Sequence, residues 1–305
     1  MLSINTNAAS MAAVNAINKS NASLSQSMER LATGKRINSS ADDAAGKQIA
    51  NRMQTQSDGM AMAQRNIADA TAMLQTADGM FDEMNDILGR MDELATQAAN
   101  GTYSDDDREA MQSEFDELGQ EMSDMLQNTT NGGTNLFNKS ENGLFTSASG
   151  VTFQVGSQST DQITISIATQ VSTLATDLGK LSAAFSDDYG TDGAGGTTAS
   201  GAAAGGDELL TLDSANATIS SVQSVMNEVG SIQSTLGATM NRLSSTATNL
   251  QSMQDNTEVA IGNVMDTDYA TEASNMSKQQ VLMQTGISML KQANSMSGMV
   301  SSLLQ

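Results

Sequence analysis

The chain has 305 residues and a net charge of −21, and it contains no cysteine, histidine or proline. Without cysteine and histidine it has no disulfides, no Cys/His zinc site and no imidazole for acid–base catalysis, which argues against an enzyme. Its acidic residues are concentrated between positions 66 and 259, which argues against nucleic-acid binding. Because proline breaks helix interiors, its absence favours long, uninterrupted helices.

The first two predicted helices carry apolar residues at alternating spacings of three and four. In the first helix these residues are Val14, Ile17, Leu24, Met28 and Leu31. In the second helix the spacing runs unbroken from Met60 to Ala95, which predicts a coiled-coil-like helix ended by Asn100 and Gly101. Ser104 is the predicted N-cap of a third helix, whose first turn is acidic.

The middle of the chain loses this helical pattern. Residues 128–143 are rich in asparagine and glycine and predict turns. Two segments with alternating apolar residues follow, 151–155 and 163–167, and they predict a β-hairpin. Residues 186–206 are low in complexity and are predicted to form a flexible surface loop, since they bury too little apolar surface to order themselves.

Heptads return in the last third of the chain, where one run extends from Ile219 to Leu250. A final helix carries Leu282, Met289, Met296, Val300 and Leu303. The two ends of the chain mirror each other, and each helix has one apolar stripe that must be buried. The sequence therefore predicts a mainly α fold, a long antiparallel coiled-coil-like helix bundle formed by both chain ends, with a small β-hairpin region at the tip.

A polar joint separates the first two helices, with the sequence LATGKRINSSADDAAGKQIANRM at residues 31–53. Gly34 is predicted to end the first helix, and Ser40 and Asp43 have the spacing of a capping box for the second. One interpretation of the joint is a loop with solvated charges. The other is a junction whose charges pair with neighbouring subunits. A metal site at Asp42 and Asp43 is not predicted, because further ligands are missing.

These segments resemble a bacterial flagellin, the subunit of the flagellar filament. The resemblance is carried by INTN at 4–7, ERLATGKRINSSADDAAGKQIANRM at 29–53 and DTDYATEASNMSKQQVLMQTGISMLKQAN at 266–294. It implies the following domains: an inner filament-core domain of residues 1–40 and 266–305, an outer rod domain of 41–178 and 209–265, and a remnant of the variable region at 179–208.

The resemblance also implies roles for particular residues. The joint becomes a spoke between the two domains, formed by Lys35, Arg36, Asn38, Asp42, Asp43, Arg52 and Asp268. The surface for polymerisation and inner-core packing is formed by Val14, Ile17, Leu24, Met28 and Leu31 with Leu282, Met289, Met296, Val300 and Leu303. An intrachain core is the alternative for these apolar residues, and both interpretations can hold together. Arg90, Leu94 and Glu114 resemble a patch that Toll-like receptor 5 recognises on some flagellins, the alternative being a contact with a neighbouring subunit.

The function implied by the resemblance is structural, without cofactor or metal. Subunits polymerise into a hollow extracellular filament that is turned as a propeller for motility. The implied partners are copies of the chain itself, a hook–filament junction protein, a tip cap protein and an export chaperone, with no nucleic acid and no membrane. The first 31 residues lack the apolar segment of a cleavable signal peptide, which agrees with export by a dedicated channel. A hook–filament junction protein is the alternative, and the long spoke motif favours a flagellin.

Overall fold

The structure is a computed structural model, and it describes residues 7–138, 143–182, 184–185 and 207–303. Its elements in chain order are α1 (Ala8–Thr33), α2 (Ala44–Ala98), α3 (Asp105–Asn128), β1 (Thr130–Asn131), β2 (Thr134–Asn135), β3 (Val151–Gln154), β4 (Gln162–Ile165), α4 (Ala168–Leu181), α5 (Leu212–Met265) and α6 (Tyr269–Leu303). The predicted mainly α fold with a small antiparallel β region is confirmed. The predicted flexible loop at 186–206 lies outside the described residues.

The chain divides into two compact units. We call residues 1–58 and 253–305 the terminal unit, and residues 59–252 the central unit. The predicted domain boundaries at residues 40 and 266 fall inside the terminal unit. The division into inner and outer filament domains therefore stays a prediction.

The central unit is built on the predicted stripe of α2. Every residue of that stripe is exposed by 3% or less, namely Met60, Ala63, Ile67, Ala70, Leu74, Ala77, Phe81, Met84, Leu88, Met91 and Ala95. Burying one large apolar side chain contributes about 1.5–3 kcal/mol, so this stripe makes a large contribution to the stability of the unit. The heptad spacing of α2 therefore encodes a core within the chain.

Helix α5 supplies the opposite side of this core and runs antiparallel to α2. Gln64 Nε2 donates to Gln251 Oε1 at 3.2 Å, and Asn85 Nδ2 donates to Gln233 Oε1 at 3.0 Å. Residue numbers increase along α2 while the numbers of their partners decrease along α5. The two helices are therefore antiparallel, as predicted. Helix α5 also buries Val225 and Ile232, outside the predicted stripe, because a helix packed on several neighbours needs a wider apolar face.

The predicted β-hairpin is present as β3 and β4. The strands are antiparallel, with Val151 opposite Ile165 and Phe153 opposite Ile163. The turn region before them contains a second, smaller hairpin of β1 and β2, which sequence reasoning missed. It is followed by Phe137, whose ring lies 5.2 Å from that of Phe81 in an edge-to-face contact that anchors this region on α2.

Helix α3 begins as predicted. Ser104 is its N-cap, and a capping box joins Ser104 and Asp107 in both directions. The buried Arg108 donates from Nε to the carbonyl oxygen of Ala98 at 3.2 Å, which satisfies one free carbonyl at the end of α2. The connection between α2 and α3 is therefore fixed by local hydrogen bonds.

Candidate functional site

Helices α1 and α6 form an antiparallel pair in the terminal unit. Asn7 caps α1, and its Nδ2 also donates to the carbonyl oxygen of Ala293 at 3.2 Å. One helical turn further on, Ser10 Oγ donates to Asn294 Oδ1 at 3.1 Å. Near the middle of the pair, Gly286 lies so close to Ile17 that an added Cβ would be 2.8 Å from Ile17 Cγ1. The two chain ends are therefore joined along their length, as the sequence predicts.

The structure sorts the ten predicted packing residues into groups. Leu24 is buried, and Ile17 and Leu31 are half-buried. The exposed members are Val14, Met28, Leu282, Met289 and Met296. The side chains of Val300 and Leu303 lie outside the described residues. Half of the predicted set is thus apolar surface that the chain itself leaves uncovered.

A second stripe on α6 was missed by sequence reasoning. Met276, Met283 and Leu290 are spaced by seven and are all half-buried. They share a side of α6 with Gly286, which contacts Ile17 of α1. Their regular spacing was the available signal. Helix α6 therefore has one apolar side toward α1 and a neighbouring side, carrying Leu282 and Met289, that faces solvent.

We call the two connecting segments, residues 34–43 and 266–268, the linker junction. Gly34 ends α1 as predicted, with a left-handed φ of 72°. Lys35 pairs with Asp266 in an isolated antiparallel bridge, and the Arg36 N–H donates to the Met265 carbonyl at 2.6 Å. The guanidinium of Arg36 donates to the Val264 carbonyl at 2.9 Å. The two linkers are therefore hydrogen-bonded to each other in one chain.

Asp42 organises the first linker. Its carboxylate accepts from the backbone N–H groups of Ser39 at 2.9 Å and Asn38 at 3.2 Å, and from Gln26 Nε2 at 2.8 Å. The backbone bond from Ser39, followed by the bond from Gln26, lowers the pKa of Asp42 to about 2. The guanidinium of Arg30 lies 3.9 Å from the carboxylate of Asp42 (Nη2 to Oδ1) and 3.9 Å from that of Glu272 (Nη1 to Oε2). The joint is therefore a hydrogen-bonded turn whose charges are paired within the chain. This differs from the first interpretation, which was a loop with solvated charges.

The predicted capping box of α2 is wrong in its N-cap residue. The helix starts at Ala44, and Asp43 Oδ1 accepts from the Gly46 N–H at 2.9 Å, so Asp43 and not Ser40 is the cap. Asp42 closes the preceding turn by accepting from the backbone of Asn38 and Ser39, which shifts the helix start past Ser40.

The other predicted spoke residues have distinct positions. Asp268 caps α6 by accepting from the Thr271 hydroxyl at 2.7 Å and the Ala270 N–H at 2.9 Å, and the Thr271 hydroxyl bond lowers the pKa of Asp268. Ile37, next to Arg36, packs with Ala50 and Met265 in a small apolar cluster. Arg52 is exposed on α2, about two turns past the start of that helix. Arg52 therefore takes part in none of these hydrogen bonds of the linker junction.

The predicted receptor patch lies in the central unit. Arg90 is bound to Glu114 through Nη2 at 2.8 Å and to Glu93 through Nη1 at 3.0 Å. Leu94 is 2% exposed and belongs to the core. A surface contact could use Arg90 and Glu114 without Leu94, and recognition by a receptor stays a prediction.

Other kinds of site find little support in the described part of the chain. Its acidic residues, in the absence of histidine and cysteine, form no group of three that could hold a metal ion. Among the described helices, none has an apolar stretch long enough to cross a bilayer. The features that remain are paired terminal helices with uncovered apolar surface and a hydrogen-bonded linker junction. They define a helical structural protein whose two chain ends form one unit.

Comparison with known proteins identifies the family. The model of the bacterial flagellin N-terminal helical region matches residues 4–142, and that of the C-terminal helical region matches residues 219–304. A flagellin of Listeria monocytogenes is 33% identical over 303 residues, covering 99% of both chains. The chain belongs to the bacterial flagellin family. The predicted resemblance and the predicted class of structural filament subunit are both confirmed.

Other similar proteins differ in length. Polar flagellin F of Vibrio parahaemolyticus is 40% identical over 166 residues, which are 54% of this chain and 42% of that protein. The chain therefore matches less than half the length of this relative. A solved structure of a putative flagellar hook-associated protein from Vibrio parahaemolyticus has a TM-score of 0.56 at 15% identity, covering 74% of this chain and 100% of that one. That likeness concerns the fold alone, and the junction-protein alternative is not better supported than a flagellin.

Proposed function

We propose that this chain polymerises into the flagellar filament through the uncovered apolar surface of α1 and α6. The observation that carries the proposal is the exposure of Val14, Met28, Leu282, Met289 and Met296 on two helices that are already paired with each other. We call these five residues the terminal face. Exposed apolar side chains of this size gain free energy when a second copy covers them.

The terminal unit needs such partners more than the central unit does. Its described buried apolar residues are Leu24, Ile37, Ala50 and Met265. A pair of helices with so little buried apolar surface is marginal by itself in water. Packing among copies would supply the missing burial, so assembly and ordering of the chain ends occur together.

The linker junction fixes where the paired helices begin. The Gly34 carbonyl accepts from Thr267 of the second linker, Arg36 is bound to the end of α5, and Asp42 closes the turn of the first linker. We infer that α1 and α6 therefore leave the junction with a set separation. Such preorganisation lowers the entropy that each copy loses on joining a polymer. We therefore assign the junction a positioning role in assembly.

Family membership supports a proposal for the wider setting of the chain. Relatives form the extracellular flagellar filament. We assign this chain to a hollow filament of the same kind, turned as a propeller, and exported without a cleavable signal peptide. A hook–filament junction protein, a tip cap protein and an export chaperone are its expected partners.

Polar substitution of the terminal face tests the proposal. The variant carries Val14→Ser, Leu282→Ser and Met289→Ser, and the matched control carries Met62→Ser and Leu212→Ser, which are exposed apolar residues of the central unit. Fully burying one such side chain is worth about 1.5–3 kcal/mol, and about 1.4 kcal/mol changes an equilibrium constant tenfold. The loss of even one of the three should therefore raise the critical concentration by about tenfold, and the loss of all three should raise it further. Seeded polymerisation is followed by electron microscopy and sedimentation.

The result expected is long filaments from the unaltered chain and the control, and monomers from the variant. Filaments from the variant at the unaltered critical concentration would overturn the proposal. Circular dichroism during urea unfolding of the monomers checks that the central unit is intact in every protein.

A further inference from the structure

The described methionines include two sets that differ sharply in exposure. Met60, Met84, Met91 and Met122 are exposed by 1% or less and belong to the core of the central unit. Met11, Met28, Met289 and Met296 are exposed by 48–62%, and all four lie on α1 or α6. Three of these four belong to the terminal face, and Met11 lies one turn before Val14. Of the six described methionines that are largely exposed, four thus lie on the two helices assigned to assembly.

The chemistry of the chain makes these thioethers its main oxidisable sulfur. There is no cysteine to react first. Methionine is oxidised to the sulfoxide, which turns a flexible apolar side chain into a polar one. A methionine in a packed core is shielded from the oxidant, whereas an exposed one is reached directly.

We propose that Met11, Met28, Met289 and Met296 are an oxidation site that switches assembly off. The oxidant is a peroxide, and hydrogen peroxide is the simplest. One oxygen atom passes from hydrogen peroxide to the sulfur, so that an S=O bond forms and the O–O bond breaks. The sulfur loses two electrons, and the peroxide is reduced to water after a proton moves to its remaining oxygen. Four polar sulfoxides then occupy a surface that must be desolvated when a second copy covers it.

The inference rests on the proposed function, since it takes a second copy of the chain as the occupant of the terminal face. It adds that the order of oxidation and assembly matters. Oxidation before assembly blocks polymerisation, and a formed filament protects the same sulfurs because neighbouring copies bury them. The reaction is reversible by methionine sulfoxide reductases, so the loss of assembly is reversible as well.

The first experiment compares monomers with filaments of the unaltered chain. Both are treated with the same dose of hydrogen peroxide, and peptide mass spectrometry measures the sulfoxide at each methionine. In monomers we expect Met11, Met28, Met289 and Met296 to oxidise at least tenfold faster than Met84 and Met91. In filaments, the oxidation rates of these four methionines should fall by about tenfold. Equal rates at the four sites in monomer and filament would overturn the inference.

The second experiment measures assembly after oxidation. One variant replaces the four methionines by leucine (M11L, M28L, M289L and M296L), a nearly volume-conserving change that keeps the surface apolar. The matched control carries M62L and M253L, which remove two methionines of similar exposure, 49% and 44%, outside α1 and α6. Each protein is compared with its own untreated sample, because Met28, Met289 and Met296 belong to the terminal face. Peroxide should lower the filament yield at least tenfold for the unaltered chain and the control, and should leave the yield of the leucine variant at its own untreated level.

Two results separate the inference from the proposed function. Filaments that form normally from monomers bearing the four sulfoxides would overturn the inference and leave the proposed function standing. Failure of the untreated chain to polymerise would overturn the proposed function and the inference with it. Should the leucine variant fail to fold, the filament yield from unaltered monomers that bear the four sulfoxides still decides the question.

Discussion

The central and terminal units use the same apolar spacing in opposite ways. In the central unit, the stripe from Met60 to Ala95 is closed within the chain. In the terminal unit, Leu282, Met289 and Met296 keep a spacing of seven and remain exposed. Heptad spacing shows which side chains require burial, and the contacts in the structure show whether the chain itself provides it. The difference separates a folding core from the exposed surface that we propose for assembly.

The largest expected effect comes from truncating a buried side chain in the core of the central unit. Phe81→Ala removes a fully buried ring that also contacts Phe137, and we expect it to lower the free energy of unfolding of the central unit by about 3–5 kcal/mol. Urea unfolding followed by circular dichroism measures the change. Met62→Ala, at an exposed position of the same helix, should change it by less than about 0.5 kcal/mol. A small loss for Phe81→Ala would contradict the closed-core account.

A smaller effect is expected where α1 and α6 touch. Gly286→Ala places a Cβ 2.8 Å from Ile17 Cγ1 and should destabilise the pair by about 1–2 kcal/mol, even though alanine is the better helix former by about 1 kcal/mol. Gly79→Ala is the matched control, since its Cβ meets nothing within 4 Å and should stabilise by up to about 1 kcal/mol. Hydrogen exchange of α1 and α6 measures the effect of Gly286→Ala, and urea unfolding measures the effect of Gly79→Ala.

The companion change Ile17→Ala sharpens this result. If the contact is direct, Gly286→Ala costs little in an Ile17→Ala background, because the crowding atom is gone. Equal losses in both backgrounds would show that Gly286 does not contact Ile17 in solution.

An acid pair between α4 and α5 predicts a stabilising substitution. Burial, followed by the charge of Asp177, raises the pKa of Glu228, and Glu228 Oε2 has no hydrogen-bond partner. A raised carboxyl pKa favours the folded state at acid pH, and this contribution is lost as the pH rises through the folded pKa. Glu228→Gln should therefore stabilise the central unit at pH 7 by on the order of 1 kcal/mol.

The pH dependence of that gain is its internal control. Below the unfolded pKa of a glutamate, about 4.3, the carboxyl is neutral in both states and the gain should vanish. Thermal unfolding at pH 3 and pH 7 measures it. An equal gain at both pH values would contradict a charge-based cause.

The smallest effect is expected at the linker junction. Hydrogen bonds from Ser39 and Gln26 lower the pKa of Asp42 to about 2. A lowered carboxyl pKa stabilises the fold above the unfolded pKa, about 3.9, and this contribution is lost as the pH falls toward 2. Asp42→Asn should accelerate hydrogen exchange of residues 34–43 at pH 7 and make it less sensitive to acid. Ser39→Ala removes the Ser39 hydroxyl, which donates to Asp42 Oδ2 at 3.1 Å, and keeps the backbone bond, so it should act in the same direction and less strongly. No change in either variant would contradict the junction geometry.

The sequence predicted the fold where local patterns determine it. The α2 stripe, the Ser104 cap, the Gly34 helix end and the β3–β4 hairpin follow from spacing and turn chemistry, and each is confirmed. The cap of α2 was missed because Ser40 and Asp43 both have suitable spacing, and only the turn closed by Asp42 decides between them.

The contacts of the site depend on residues far apart in the chain. Asn7 meets Ala293, and Ile17 meets Gly286, so the register of α1 on α6 is a property of the folded pair. For the same reason, spacing could not separate Leu24, which is buried, from Met28, which is exposed. The neighbouring carboxyl groups of Asp177 and Glu228 are also distant in sequence and gave no local signal.

The central claim is that the exposed terminal face of one copy is covered by other copies. Cryo-electron microscopy of the assembled filament tests it directly, at a resolution that places side chains. The account predicts that Val14, Leu282 and Met289 are buried against neighbouring copies, while the Met60–Ala95 stripe keeps its intrachain contacts. Filaments in which these three side chains remain exposed, with copies joined through other surfaces, would contradict it.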